Sequence, residues 1–481
     1  MERYVGDSKV QIHDWLAALG VQFEALVRPP GNSAPRLHLT RGKGWGLVRS
    51  LVQECLKYPN IRFVWAAKAE RLLVEKEAVR GIAAVNLRTN ARSEHRGRST
   101  IIATGGFQSN LDWVRKYWPA GMPAAPRLLL GAGHNATGSG HRLVEQAGGR
   151  LTRMDHQWNY ILGLPDPRDP AGQRGLAAFN FRSIWVNAEG RRFTQEFGDP
   201  KKALADLLAQ AGGSYWSVFD EGGKRGLSVT LAGWENFEEL SRLIYGAEGV
   251  AMTASTLEEL ARKMGVPEAG LAATVRRYNT LAEQGVDVDF QAFGPKTTPQ
   301  PAKIEKPPFY ALRFFPITRK SMGGIDVDLR CRVLDRSGQP IPGLYAAGEV
   351  TGFGGLNGKA ALEGTFLGPS VWMGRIAGRE ASGAATKPKA VSLRRAPIDR
   401  PQRRFQDEAC LRCHDVAREV QRIRPGFWHY EQSHAKALAR DYRCSNCHAD
   451  LYPYRRSKHK LDRAAATGQC ATCHGVQSRP G

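Results

Sequence analysis

The sequence predicts an α/β body followed by a small C-terminal domain with little regular structure. Three observations carry that prediction. Two apolar strands, residues 99–103 and 341–347, each run into a glycine-rich turn, Thr104-Gly105-Gly106 and Gly348-Glu349-Val350-Thr351-Gly352. A buried strand ending in such a turn is where an α/β sheet brings its backbone against a ligand. Helical and strand periodicities alternate around these two strands as far as residue 382. Beyond residue 402 they give way to three copies of one pattern, Cys410-Leu411-Arg412-Cys413-His414, Cys444-Ser445-Asn446-Cys447-His448 and Cys470-Ala471-Thr472-Cys473-His474.

The elements of the body follow in order. Val10, Ile12, Trp15, Leu16 and Leu19 fall close to helical spacing, with Asp7 or Ser8 as cap and Gly20 as stop. Residues 44–56 read as a second helix, with Leu47, Val48, Leu51, Val52 and Leu56 on one side. Short strands are expected over 62–66, 71–75 and 82–87, then the strand 99–103. Residues 138–149 read as a helix with a glycine stop. Strands over 183–187 and 215–220 and a helix over 268–283 follow, with Ser255-Thr256-Leu257-Glu258 as a capping box opening another helix. Residues 296–308 are Pro-rich and read as a return connection. Residues 321–327 and 333–335 form an expected hairpin. Gly364-Thr365 opens a last helix that runs to residue 381, and residues 382–401 are a basic, Ala- and Pro-containing linker.

C-x-x-C-H is the attachment pattern of c-type haem: the two thiols bond the haem and the adjacent His ligates iron. The three copies use six of the eight cysteines. Zinc sites do not require a His after every second Cys, and a disulfide framework would not place His at those offsets, so haem is preferred to both. His414, His448 and His474 are the expected proximal ligands. The tail holds three further histidines, His429, His434 and His459. They match three sixth ligands, with His434 ten residues before Cys444 and His459 eleven before Cys470. The alternative is one surface histidine and one haem with an open position. Cys55 and Cys331 stand alone and read as structural.

The chain has 69 basic and 46 acidic residues, a net charge of +23, concentrated in the linker and tail. That charge suits a solvated surface and haem propionates, or an acidic redox partner; no nucleic-acid-binding motif accompanies it. No apolar run is long enough to span a bilayer, and no leader-like apolar stretch follows Met1. Covalent haem c is assembled on the outer side of the bacterial inner membrane, so a periplasmic location and a leader upstream of this chain are expected.

Ile101-Ile102-Ala103-Thr104-Gly105-Gly106-Phe107, the Met322-Gly323-Gly324 turn and Gly343-Leu344-Tyr345-Ala346-Ala347-Gly348-Glu349-Val350-Thr351-Gly352 resemble the FAD-binding superfamily of fumarate reductase and succinate dehydrogenase flavoproteins. Ile184 to Phe193 resembles that family's capping-domain strand and turn. In architecture the chain looks like the soluble flavocytochromes c, with the haem segment last instead of first. The resemblance implies a Rossmann-like FAD domain in two parts, residues 1–155 and 309–382, a capping α+β domain over 156–308 inserted between them, the linker 383–402 and a triheme domain over 403–481. It implies FAD contacts at Ala103, Thr104, Gly105, Gly106, Gly348, Glu349, Gly364 and Thr365.

Two departures from the family stand out. No G-x-G-x-x-G fingerprint lies between a strand and a helix. The first βαβ unit of the fold is therefore expected upstream of this chain, or on a separate partner. The fumarate-reducing residues are also replaced. The family's proton-donating arginine falls at Pro200, beside Lys201 and Lys202; others fall at Gly175, Leu176 and Phe179. Substrate histidines become Tyr160 and Lys320, preceded by Arg319, and a carboxylate-binding arginine falls near Lys359. Arg319, Lys320, Tyr160 and Lys359 are thus the candidate catalytic residues, and fumarate is not the expected substrate. Glu363 reads as a helix cap. The implied function is FAD-dependent chemistry on a small molecule, coupled through three haems to a soluble or membrane quinol-oxidising cytochrome. It reduces an activated C=C bond, or runs as a dehydrogenase like the family's ketosteroid and tricarballylate dehydrogenases. A third alternative is an electron carrier with a vestigial flavin body.

Overall fold

A computed structural model describes residues 1–383 apart from 29–33, 231–236, 247–248, 296, 298–300 and 361. All three C-x-x-C-H motifs and His429, His434 and His459 lie outside the described residues.

The chain opens with continuous helix: Glu2–Asp7, a π-helical stretch Ser8–Asp14, then Trp15–Ala18. The expected helix over 10–19 therefore starts earlier. Asp7 does not cap it; its carboxylate accepts the Trp372 indole N–H at 2.8 Å. Ile12 and Leu16 bury against Leu47 and against Trp372, Met373 and Ile376 of the last helix, Leu367–Ser382. Burial of such side chains stabilises by roughly 1.5–3 kcal/mol each.

Strands β1 (Phe23–Val27) and β2 (Leu37–Thr40) form a hairpin that the sequence did not announce. The helix Lys43–Cys55 follows. Then β3 (Ala67–Glu75), β4 (Ala78–Asn86) and β5 (Arg92–Arg96) make an antiparallel sheet. Residues 62–66, expected as a strand, are not one; the Phe63 and Trp65 rings stack on each other at 5.3 Å. Strand β6 (Thr100–Ile102) leads to the helix Leu111–Lys116, capped by Asn110, and the helix Ser139–Gln146.

After β7 (Leu151–Thr152) comes the large sheet. Its strands are β8 (Gln157–Pro165), β9 (Gly175–Asn180), β10 (Ile184–Val186), β11 (Tyr215–Asp220), β12 (Leu227–Thr230), β13 (Ala251–Ala254) and β14 (Phe309–Ser321). Their order is β10-β11-β14-β8-β9-β12, with β13 also paired to β14. All six residues of β11 are buried. One face of the sheet packs Val218, Ile184 and Val186 on Leu260, Leu271, Val275 and Leu281 of the helices Leu257–Met264 and Glu268–Gln284. The other packs Tyr215, Phe219, Leu312 and Phe314 with Leu207. The capping box sits one residue later than expected: Thr256 accepts from the Glu259 amide, and Glu259 reaches back to the Ser255 amide.

Strand β15 (Gly324–Ile325) pairs with β7, not with the expected hairpin partner. The chain does turn back there, with a single antiparallel bridge from Val327 to Val333. Strand β16 (Arg332–Leu334) pairs with β17 (Pro340–Ala346), and β17 lies parallel to β6 in the register Leu344↔Thr100, Tyr345↔Ile101, Ala346↔Ile102. That parallel pairing joins two strands far apart in sequence. It delivers their glycine-rich turns to the same edge of the sheet.

Candidate functional site

The two turns meet at this edge, and side chains stitch them together. The Phe107 amide donates to Ser321 Oγ at 3.0 Å, and the Ser321 amide donates to Glu349 Oε1 at 2.9 Å. Glu349 is partly buried, and desolvation raises its pKa against the pull of the Ser321 amide and of Lys320. A Cβ on Gly106 would come 2.5 Å from both Glu349 Oε1 and Ser321 Oγ, so glycine is required there by the protein itself. The Met322-Gly323-Gly324 turn has the same logic. A Cβ on Gly324 would lie 2.1 Å from the Val350 carbonyl oxygen, and one on Gly352 would lie 2.3 Å from that of Met322. These glycines let backbone meet backbone.

Gly105 is different. Its φ is +73°, a region that favours glycine, and no atom of the described residues lies within 4 Å of where a Cβ would be. Ala103 and Thr104 beside it are exposed. This open strand end is where a flat or anionic ligand can approach backbone. Gly364 packs on the Arg36 carbonyl, and Thr365 donates within the protein, to Asn357 and the Leu362 carbonyl. Of the eight residues named for FAD, the structure leaves Ala103, Thr104 and Gly105 open and engages Gly106, Gly348, Glu349, Gly364 and Thr365 with their neighbours.

Beyond the stitched turns lies the catalytic candidate set. Trp158 and Tyr160, two apart on β8, fall on one face. Strand β14 runs antiparallel beside them with Ile317↔Tyr160, Thr318↔Asn159 and Lys320↔Trp158. The register skips Arg319: it is the extra residue of a β-bulge, which re-aims side chains locally. As a result Arg319 and Lys320, neighbours in sequence, both reach the aromatic face. The Arg319 guanidinium lies 5.5 Å from the Tyr160 ring centroid. The Lys320 ammonium lies 3.8 Å from that of Phe366 and 4.8 Å from that of Trp158.

Glu363 ties this set together. It accepts a short hydrogen bond from the Tyr160 hydroxyl and one from Lys320 Nζ at 3.3 Å. It does not cap the last helix, whose N-cap residue Phe366 makes no side-chain hydrogen bond. Burial lowers the Lys320 pKa, with Glu363 pulling the other way. Burial raises that of Tyr160, and Glu363 adds to the rise. The ammonium is therefore the better acid of the two, and the phenol holds Glu363 in place. Lys359 stands apart: its side chain is 69% exposed and pairs with Asp155 at 3.3 Å. The sequence reading missed the walls, Trp158, Phe353 and Phe366 with Met322, which form one buried cluster against Tyr160. The only signal was Trp158-x-Tyr160, with the strand period of two.

The family model described as FAD binding domain matches residues 11–367. The chain belongs to this family. It is 33% identical over 374 residues to an NADH:acrylate oxidoreductase of Vibrio harveyi, covering 77% of this chain and 35% of that protein. It is 30% identical to a KsdD-like steroid dehydrogenase of Mycobacterium tuberculosis, covering 79% of each. Among solved structures, the open conformation of a flavocytochrome c3 fumarate reductase matches with a TM-score of 0.60 at 26% identity, over 79% of this chain and 63% of that one. The α/β FAD-binding fold expected from the sequence is thus the fold observed. The chain spans about a third of the length of the Vibrio protein. Its relatives by name are redox enzymes, and it is an enzyme of the FAD-dependent oxidoreductase type. No described helix is long and apolar enough to cross a membrane.

Proposed function

We propose that this chain reduces an activated C=C bond, with electrons reaching its flavin one at a time through three c-type haems on the C-terminal segment. The observation that carries the proposal is the half-buried Lys320–Glu363–Tyr160 set, held by the Ser321 and Glu349 contacts beside the open Gly105 turn. An ammonium whose pKa is depressed by burial is suited to give a proton to a carbon that becomes basic in the transition state. Glu363 orients that ammonium, and the rings of Trp158 and Phe366 exclude water from it. Arg319 stabilises negative charge on the substrate oxygen. FAD, when bound at Ala103, Thr104 and Gly105, supplies hydride chemistry and exchanges single electrons with haem.

Two further supports lie in sequence and kinship. Three C-x-x-C-H motifs follow the flavin body, and the Vibrio relative is named for acrylate, whose double bond is activated by a carboxylate. Haem c attachment puts the protein in the periplasm, where its basic surface would meet an acidic or membrane-bound cytochrome. The mycobacterial relative is named a dehydrogenase, and the same site run backwards would serve one.

The test uses the full-length protein, with any upstream segment its gene encodes, matured in a periplasm. Haem bands of the reduced protein should decay when an unsaturated acid or enone is added. Reduction of the oxidised haems by a saturated acid or ketosteroid would replace the reductase with the dehydrogenase. Absence of c-type bands would end the electron-transfer part of the proposal.

A further inference from the structure

The charge and walls of the site narrow the substrate, given the reductase reading above. The ionisable groups coupled to Lys320 are Glu363, Arg319 and Glu349, and those coupled to Tyr160 are Glu363 and Arg319. Lys320 is matched by Glu363. Glu349 is partly buried and engaged by the Ser321 amide, and among the described residues no ion pair joins it to Arg319 or Lys320. Among the described residues, that leaves Arg319 as the cation of the set with no carboxylate of its own. Its Nη1 donates to the Gly131 carbonyl at 3.2 Å and its guanidinium lies against Tyr160, but its buried Nε–H has no acceptor among the described residues. An unmatched guanidinium donor in a half-buried place is costly unless an acceptor arrives. A carboxylate is the acceptor that fits its fork. The set thus holds charge for one carboxylate; a second would be buried without a partner.

The rest of the wall is apolar. Trp158, Phe353, Phe366 and Met322 are buried together, with Tyr160 against them. Trp158 meets Tyr160 edge-on at 5.1 Å, and Phe366 meets Phe353 likewise. Such a wall favours an aromatic group over a second charged one.

We propose that the substrate is an aryl-bearing 2-enoic monocarboxylic acid, of the cinnamate type, with its single carboxylate on Arg319. The C2–C3 double bond gains a hydride at C3 from the reduced flavin and a proton at C2 that leaves Lys320. The product is the saturated aryl acid, and Lys320 regains its proton from solvent. Arg319 neutralises the charge that builds on the carboxylate oxygens as C3 accepts the hydride.

The experiment follows haem reoxidation of the dithionite-reduced full-length protein with cinnamate, crotonate, fumarate and benzalacetone, the uncharged methyl ketone analogue of cinnamate. Isothermal titration of the oxidised protein reads binding apart from turnover. Cinnamate should exceed fumarate in kcat/KM by at least a hundredfold, and crotonate by less. In Arg319→Gln the ratio of cinnamate to benzalacetone should fall by about 10- to 100-fold, the worth of a charge-assisted hydrogen bond. Calorimetric cinnamate affinity should weaken in step. Fumarate turned over as well as cinnamate would overturn this inference and leave the reductase reading intact. So would an unchanged ratio in Arg319→Gln. Haem reoxidation by none of the four would overturn the reductase reading itself.

Discussion

Replacing Glu363 by Gln tests the proton-donor assignment most directly. The change is nearly isosteric, and the amide oxygen can still accept from Tyr160. What is lost is one negative charge 3.3 Å from Lys320 Nζ. Coulomb's law gives about 5 kcal/mol for that separation at an effective dielectric of about 20, and about 1.3 kcal/mol in bulk water. The side chains are 17% and 28% exposed, which places the pair between those limits, at about 2 kcal/mol after solvent screening. Removing Glu363 should therefore weaken the hold of Lys320 on its proton by about thirtyfold. Burial already lowers the lysine's pKa, so the loss adds to an existing bias. The sign is definite: the pH above which the ammonium is exhausted moves down. The assay is kcat against pH, by haem reoxidation, in wild type and Glu363→Gln. The alkaline limb should fall at lower pH in the variant, and Lys320→Met should lack that limb with little residual rate. A limb that stays in place, or moves up, refutes Lys320 as the acid.

Other predictions follow from packing and charge. Gly324→Ala places a Cβ 2.1 Å from the Val350 carbonyl oxygen and should cost about 1–3 kcal/mol in urea unfolding, with loss of flavin retention. Arg192 joins Glu196 and Asp287 beside the large sheet, all three side chains at 5% exposure or less. Arg192→Leu strands two buried carboxylates and should cost about 3–5 kcal/mol, partly recovered by adding Asp287→Asn. Burial pushes the Asp287 pKa up, but the hydrogen bonds and charge of Arg192 outweigh it and carry it below the usual aspartate range. Its folded value is thus below its unfolded one, so the stability it contributes is present at neutral pH. It should be lost as pH falls below about 4, read as an acid unfolding midpoint that disappears in Asp287→Asn. Pyridine haemochrome assay of the matured full-length protein should find about three haems per chain, and His434→Ala and His459→Ala should each shift one haem from a low-spin to a high-spin spectrum.

The parts of this fold legible in the sequence are those whose pattern is local. Residues 99–103 and 341–347 read as strands because each is a short apolar run closed by glycines, and β6 and β17 are found there. The helix over 268–283 read true because its apolar spacing is regular and Gly285 stops it. Strands β8 and β9 were not read, since both faces are covered and no alternation survives. Residues 62–66 look like a strand by composition, yet the Phe63 and Trp65 rings stack on each other and the backbone forms no strand there, with Ala66 accepting from the Leu87 amide at its end. At the site, Tyr160, Lys320 and Arg319 were named from the resemblance, whereas the contacts of Glu363 with Tyr160 and Lys320 were not expected. A glutamate shortly before a helix has the local signature of a cap, and only the distant pairing of β8 with β14 supplies a better partner. The bulge at Arg319 has no sequence signature, because its cause is a register between strands far apart in the chain.

That bulge has a genetic consequence. Side chains on a strand alternate, so two adjacent cations can share one face only while one residue is surplus to the ladder. Deleting the Arg319 codon would restore plain alternation there and withdraw one positive charge from the aromatic face. One in-frame deletion would therefore remove both the charge and the bulge that aims it, whereas the point substitution Arg319→Gln removes the charge alone.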